Sequence, residues 1–150
     1  MVAEISRHRT VRADSQAVWD VLADFGAISE WASDVDHSSI LNAADDGLIG
    51  TTRRVQVGRM VLVERITDAT PARTLAYDIA GLPGPVRHAA NRWTLDTVLD
   101  GATAITLTST VDLGPGRLRD VAARVIARVM AKSSDSMLAG LSARWENPHG

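Results

Sequence analysis

The sequence contains no cysteine, which excludes disulfides, thiolate metal sites and cysteine nucleophiles. It has no apolar run near the roughly 20 residues that cross a bilayer, and its first residues lack the apolar core of a signal peptide. No charge dominates, because 16 Lys and Arg stand against 18 Asp and Glu. We therefore expect a cytoplasmic protein with no membrane span and no nucleic-acid partner.

Residue patterns typical of metal and cofactor sites are also missing. The four histidines have no second His or carboxylate at metal-ligand spacing. No Gly-x-Ser-x-Gly elbow is present. Residues 81–85 are rich in glycine, but they carry prolines where a phosphate-binding loop needs amide donors. We expect no metal and no cofactor.

What is present is an ordered series of short elements. Residues 2–12 alternate as a strand does, and Asp14 is placed to cap a helix that follows. Residues 27–31 suit a second short helix. Between residues 36 and 113, β-rich segments separated by turn residues predict an antiparallel meander of about six strands. Residues 117–146 then predict one long amphipathic helix, with a stripe that includes Val125, Val129, Ser133, Met137, Leu141 and Trp145.

This order of elements predicts an α+β architecture, in which an antiparallel sheet carries helices on one side. A long helix can lie in the concavity of a curved sheet and leave a ligand-sized space between them. The length of 150 residues and a hydrophobic content of 45% are ordinary for one globular domain. We therefore expect residues 1–150 to form a single ligand-binding domain.

Several segments together resemble a known family, and the resemblance spans nearly the whole chain. They are residues 10–26, 28–31, 50–55, 63–66 and 91–95, with the Gly-Pro-Gly sequence before the last helix. They resemble the polyketide cyclase/dehydrase and lipid-transport family, in the START-like, birch-pollen-allergen-like (SRPBCC) superfamily. The resemblance implies a helix-grip fold: a curved antiparallel sheet of about seven strands around a long C-terminal helix, with two short helices after the first strand. Members of the family include lipid carriers, hormone receptors and aromatase/cyclases.

Arg53 and Glu64 are the strongest candidates for a polar site. Glu64 shares a strand face with Leu62 and Ile66, and Arg53 shares one with Val55 on the preceding strand. If that face is interior, a carboxylate enters an apolar setting and must be paired or protonated. The pair would then anchor a ligand carboxyl, hydroxyl or carbonyl group. The alternative is a cross-strand ion pair on the outer face, because a slip of one residue reverses the faces.

Other side chains are predicted to line the same cavity. Tyr77 and Asn91 share faces with apolar neighbours and would orient a ketone or phenol, although Tyr77 also suits a plain core position. His88 follows the 81–85 loop, which we expect at the cavity mouth. His88 and Glu64 are the candidates for a general base. The remaining predicted ligand contacts are Trp31, Trp93, Met130, Ser133 and Met137. For Ser133 the alternative is a hydrogen bond to the preceding turn of its helix, and for the other four it is core packing.

Three functions follow from these patterns. The first is binding or transport of a small hydrophobic or amphipathic ligand, such as a lipid or polyketide. The second is an aromatase/cyclase-type enzyme, in which a Glu64–Arg53 or Tyr77–His88 pair moves protons in the same cavity. The third is an interaction module without a ligand, for instance a homodimer.

Overall fold

A computed structural model describes residues 2–84, 86–99, 101–114 and 118–146. Among the turn residues considered above, Pro85, Pro115 and Gly116 lie outside the described residues. The elements follow one another as β1 (Val2–Val11), α1 (Ser15–Ala23), a 3-10 helix (Phe25–Glu30), β2 (His37–Asn42), β3 (Thr52–Val57), β4 (Met60–Thr70), β5 (Thr74–Ala80), β6 (His88–Leu99), β7 (Ala102–Asp112) and α2 (Leu118–Glu146).

The seven strands form one curved antiparallel sheet in the order β1-β7-β6-β5-β4-β3-β2. From β2 to β7 each strand pairs with the next in sequence, as the turn residues predicted. β1 instead pairs with β7, from Val2 opposite Asp112 to Val11 opposite Thr103. Helix α2 follows β7 and lies against β1 and β7. The predicted α+β helix-grip architecture is confirmed.

The sheet has one buried face, which we call the inward face. Along β7, Ile105, Leu107 and Ser109 are buried, while the residues between them are half-buried. Along β4, the buried residues are Leu62, Glu64 and Ile66. This alternation follows from the two-residue repeat of a strand.

The two short helices cover one end of the inward face. The Asp14 side chain accepts a hydrogen bond from the Ala17 amide at 2.8 Å, so it caps α1 as predicted. Helix α1 buries Val18 and Leu22, and the 3-10 helix buries Phe25 and Ile28. The 3-10 helix lies against β2 and β3, which places Phe25 beside β3.

Helix α2 contacts the sheet through a different stripe in its first half than the sequence pattern predicted. Val125 is 57% exposed and Val129 is 63% exposed, and Ser133 is exposed as well. Their neighbours Ile126 and Met130 pack instead against a small core cluster of Ala3, Ala89, Val111 and Leu113. The predicted inward position of Ser133 is wrong, and Ser134 takes it. Two stripes one residue apart both satisfy the helical spacing, and the buried Leu138 selects the one that runs back through Ser134, Met130 and Ile126.

The second half of α2 is fixed to the rest of the fold at close range. A Cβ atom on Gly140 would collide with the Trp31 carbonyl oxygen, so only glycine permits this approach. Arg9 Nη1 donates to Ser142 Oγ at 2.8 Å, and Arg7 Nε lies 3.5 Å from Asp135 Oδ1. These contacts hold α2 across β1 and above the inward face.

Candidate functional site

The Arg53 and Glu64 side chains meet inside the fold. The two residues are directly opposite on β3 and β4. Arg53 Nε donates to Glu64 Oε1 at 2.8 Å, and Nη2 lies 2.7 Å from the same oxygen. Arg53 is 2% exposed and Glu64 is 5% exposed. The ion pair is therefore on the inward face, and the outer-face alternative is excluded.

The Arg53 guanidinium is also held by the 3-10 helix. Its Nη1 donates to the Phe25 carbonyl at 2.8 Å. Its Cζ atom lies 3.7 Å from the centre of the Phe25 ring and 4.7 Å from that of Tyr77, a cation–π arrangement with both rings. Nη2 contacts Glu64 Oε1 alongside Nε, so the guanidinium is held by one carboxylate oxygen, one backbone carbonyl and two aromatic rings.

The Tyr77 hydroxyl lies in the same buried region and accepts two hydrogen bonds. Asn91 Nδ2 and Trp93 Nε1 each donate to it at 3.2 Å. Asn91 Oδ1 in turn accepts from Ser109 Oγ at 2.6 Å. We call Arg53, Glu64, Tyr77, Asn91, Trp93 and Ser109 the inward polar cluster. Its members are between 1% and 7% exposed.

Burial sets the protonation of Tyr77. Loss of water raises the pKa of the phenol above its ordinary value, and the nearby Glu64 raises that pKa further. Arg53 and the hydrogen bonds from Trp93 and Asn91 act in the opposite direction but do not cancel the rise. Tyr77 therefore stays neutral at physiological pH and keeps an O–H that can donate.

The sheet opens where β5 and β6 separate. Their pairing ends at Asp78 opposite Ala90. β5 continues to Ala80 against β4, and β6 begins at His88 against β7. We call this opening the β5–β6 fork. A concavity of about 540 Å³ lies there, lined by Thr52, Val63, Arg65, Asp78, Ile79, Ala80, Gly81, Leu82, Val86, Arg87 and His88.

The cavity predicted between the sheet and α2 is packed with side chains around the inward polar cluster. Most strand residues that line the fork concavity, such as Val63, Arg65 and Asp78, alternate with inward residues and so belong to the outer face. Ile79 is the link to the inward polar cluster, because it lines the concavity and lies opposite Glu64. A second concavity, of about 510 Å³, lies between the end of β1 and the end of α2, beside Trp145. Gly81 and Leu82, in the loop where the sequence predicted an entrance, line the fork concavity.

His88 lies on the other face of the sheet from Tyr77. Its Nε2 atom is 3.0 Å from Asp78 Oδ1, and both side chains are about half exposed. It lines the outer rim of the fork concavity. The structure therefore does not bring together the Tyr77–His88 pair considered from the sequence. The separation follows from strand alternation, since His88 is an odd number of residues from Asn91 and Trp93.

The remaining predicted contacts are dispersed. Trp31 is 8% exposed and packs edge-on against Trp93, with ring centres 5.8 Å apart. Met137 is half-buried against the main core, and Met130 packs against the small cluster near β1. Ser134, not Ser133, approaches the inward polar cluster, with its Oγ 3.4 Å from Ser109 Oγ.

Sequence reasoning did not select Ser109, Ser134 or Phe25. Ser109 alternates with Ile105 and Leu107, so a polar residue on an otherwise apolar strand face was a usable signal. The Phe25 carbonyl had no such signal, because a backbone contact with Arg53 leaves no trace in residue type.

Within the described ranges, no helix is long and apolar enough to cross a membrane. In the same part of the chain, no three His, Asp or Glu side chains are grouped so that they would hold a metal ion.

The sequence model of the family described as polyketide cyclase/dehydrase and lipid transport matches residues 2–146. The chain belongs to this family. Among curated proteins, none matches its sequence significantly. Membership in the polyketide cyclase/dehydrase and lipid-transport family thus agrees with the helix-grip fold.

Solved structures similar to this family member include enzymes and a START protein. The Zhui aromatase/cyclase from Streptomyces sp. R1128 has a TM-score of 0.81 and 22% identity, over 97% of this chain and 94% of that one. A START superfamily protein from Mycobacterium smegmatis has a TM-score of 0.77 and 15% identity, over 95% and 97%. The di-domain ARO/CYC StfQ from the steffimycin biosynthetic pathway has a TM-score of 0.77 and 14% identity, over 97% of this chain and 51% of that one. At these identities the likeness shows the fold.

Proposed function

We propose that residues 1–150 form one ligand-binding domain, which holds a single small amphipathic molecule. The polar end of the ligand contacts the inward polar cluster, and its apolar part occupies the β5–β6 fork. The observation that carries this proposal is that Arg53 and Glu64, the two buried charged side chains among the described residues, form an ion pair inside the fold. Burying such a pair costs several kcal/mol per ion, and apolar replacements are often neutral or stabilising. A core built only for stability has no need of it, which supports a role in recognition.

The fork supplies the apolar half of the site. Val63, Ile79, Leu82 and Val86 give its concavity an apolar lining, and its volume of about 540 Å³ falls within the usual range for ligand sites. Ile79 follows Tyr77 by two residues on the same strand face, a separation of about 7 Å. A ligand that displaces Ile79 therefore reaches the Tyr77 hydroxyl and Glu64 with its polar end.

The proposal is tested by a ligand screen on matched variants. Fatty acids, quinones and aromatic polyketides are added to the wild-type protein, and binding is measured by native mass spectrometry and by the shift in melting temperature. We expect one of these classes to bind, and Glu64→Gln and Tyr77→Phe to weaken that binding. Arg92→Gln is the control, because Arg92 pairs with Asp68 at 3.1 Å on the exposed face of the same sheet. No binding by any class, or equal binding by all variants, would contradict the proposal.

A second candidate function is aromatase/cyclase-type catalysis in the same place. Aldol closure needs a base to remove a proton beside a ketone and a donor to the ketone oxygen. Glu64 and Tyr77 are a carboxylate and a neutral hydroxyl in one buried cluster, which supports this candidate. Two of the similar structures are also named as enzymes of this kind. Conversion of a poly-β-ketone thioester by the wild type but not by Glu64→Gln would support catalysis, whereas binding without conversion would leave only the carrier function.

A further inference from the structure

A chain of hydrogen bonds links helix α2 to Tyr77. Ser134 Oγ lies 3.4 Å from Ser109 Oγ, Ser109 Oγ lies 2.6 Å from Asn91 Oδ1, and Asn91 Nδ2 lies 3.2 Å from the Tyr77 oxygen. Every member is buried. Because Ser109 uses its own hydrogen on Asn91, it accepts in its contact with Ser134. The hydrogens therefore all point the same way, from α2 toward Tyr77.

The direction of the chain depends on which end of the Asn91 amide faces Tyr77. In the reverse orientation Tyr77 would donate to Asn91 Oδ1, and Asn91 Nδ2 would donate to Ser109. The distances decide between the two. A separation of 2.6 Å is usual for O–H···O and short for N–H···O, whereas 3.2 Å is long for O–H···O and within range for N–H···O. The amide nitrogen of Asn91 thus faces Tyr77.

The Tyr77 oxygen has no further capacity to accept. It takes one hydrogen bond from Asn91 and a second from Trp93, whose indole N–H can only donate. The Tyr77 hydrogen has no acceptor among the described residues. Nearby, Trp31 Nε1 is a buried donor that also lacks a hydrogen-bond partner there. Tyr77 and Trp31 thus each hold a hydrogen that a ligand acceptor could take up.

We propose that Ser109, backed by Ser134, is a positioning residue that fixes the Asn91 amide so that Tyr77 presents its proton to a hydrogen-bond acceptor on the ligand. This inference rests on the proposed binding function and adds the chemistry of the ligand: a carbonyl or other acceptor oxygen, with no donor at that point. Without the Ser109 hydroxyl, the present orientation of Asn91 leaves both its oxygen and the Tyr77 hydrogen unpaired. The reverse orientation leaves only the amide nitrogen unpaired, so Asn91 turns and takes up the Tyr77 proton.

The first experiment needs no ligand. Tyr77 is the only tyrosine in the chain, so the tyrosine Fermi doublet in the Raman spectrum reports its hydroxyl alone. We expect an acceptor-type intensity ratio in the wild type and a shift toward the donor type in Ser109→Ala. Ser6→Ala is the control, because Ser6 bonds Thr108 at 2.9 Å on the exposed face and should leave the ratio unchanged. A donor-type ratio in the wild type, or no change in a folded Ser109→Ala, would overturn the positioning role.

The second experiment compares 1-tetralone with tetralin, which share a skeleton but differ in the ketone. The ratio of their dissociation constants is measured for each variant by isothermal titration calorimetry, so that their different hydration cancels between variants. We expect the preference for 1-tetralone to fall about two- to tenfold in Ser109→Ala and to persist in Ser6→Ala, as for the loss of one hydrogen bond. A wild-type preference retained in Ser109→Ala would overturn the inference. Failure of both compounds to bind would count against the proposed function, and the Raman result would then decide the positioning role alone.

Discussion

Replacing Glu64 by glutamine tests whether the Arg53–Glu64 pair is truly desolvated. The substitution keeps the side-chain shape and an oxygen that can accept from Arg53, but it removes the negative charge and leaves the Arg53 cation buried among neutral groups: the new amide, the Phe25 carbonyl and two aromatic rings. Breaking a buried pair in this way costs about 3–5 kcal/mol. For a chain of 150 residues, at roughly 2–4 °C per kcal/mol, the melting temperature should fall by roughly 6–20 °C.

The measurement is urea unfolding followed by tryptophan fluorescence, with two companion variants. Arg92→Gln removes an exposed ion pair and should cost about 0–1 kcal/mol. The double variant Arg53→Met with Glu64→Leu removes both buried charges, and it should be more stable than Glu64→Gln alone. A loss of less than about 1 kcal/mol in Glu64→Gln, equal to that of Arg92→Gln, would refute the reasoning.

Three further results follow from the structure. Burial raises the pKa of Tyr77 in the folded protein above the value of about 10 in the unfolded chain. The contribution of this shift to stability is therefore complete below pH 10 and is lost as pH rises through the folded-state pKa, so urea midpoints above pH 10 should fall more steeply for the wild type than for Tyr77→Phe. Parallel curves for the two proteins would contradict this. Gly140→Ala should destabilise the protein by about 1–3 kcal/mol despite alanine's helix propensity, which is measured as a lower melting temperature. An unchanged or higher melting temperature would mean that α2 does not touch Trp31. In urea unfolding, Leu138→Ala should lower the free energy of unfolding by about 2–5 kcal/mol and Val129→Lys by less than about 0.5 kcal/mol. The opposite order would mean that the stripe predicted from the sequence, through Val129, is the one that faces the sheet.

Strand alternation and turn residues were enough to predict most of the fold. Tyr77 was placed on the buried face because its apolar neighbours at two-residue spacing must be buried with it. Glu64 was placed on one face with Leu62 and Ile66, but whether that face is interior stayed open. The same rule applied from Asn91 to His88 places the histidine outward, as the structure has it. Helix α2 was harder, since its apolar and small residues fit two adjacent stripes and only contacts with β1 and Trp31 select one.

The details of the site depend on contacts that residue types do not encode. The Phe25 carbonyl reaches Arg53 across 28 residues of chain, and the β5–β6 fork arises where the two strands stop pairing. Neither feature changes the hydrophobic pattern of its own segment. The register of β3 on β4 likewise decides whether Arg53 and Glu64 meet on the inner or the outer face of the sheet. The residue pattern of either strand alone does not specify that register.

The central claim is that a ligand reaches the inward polar cluster, and the four indole N–H signals of the protein report this directly. A compound that raises the melting temperature is titrated into nitrogen-15-labelled protein, with signals assigned by single Trp→Phe variants. We expect shifts at Trp93, which donates to Tyr77, and at Trp31, which packs against Trp93, while the Trp145 signal stays unchanged. A shift at Trp145 alone, beside the concavity at the end of α2, would contradict it.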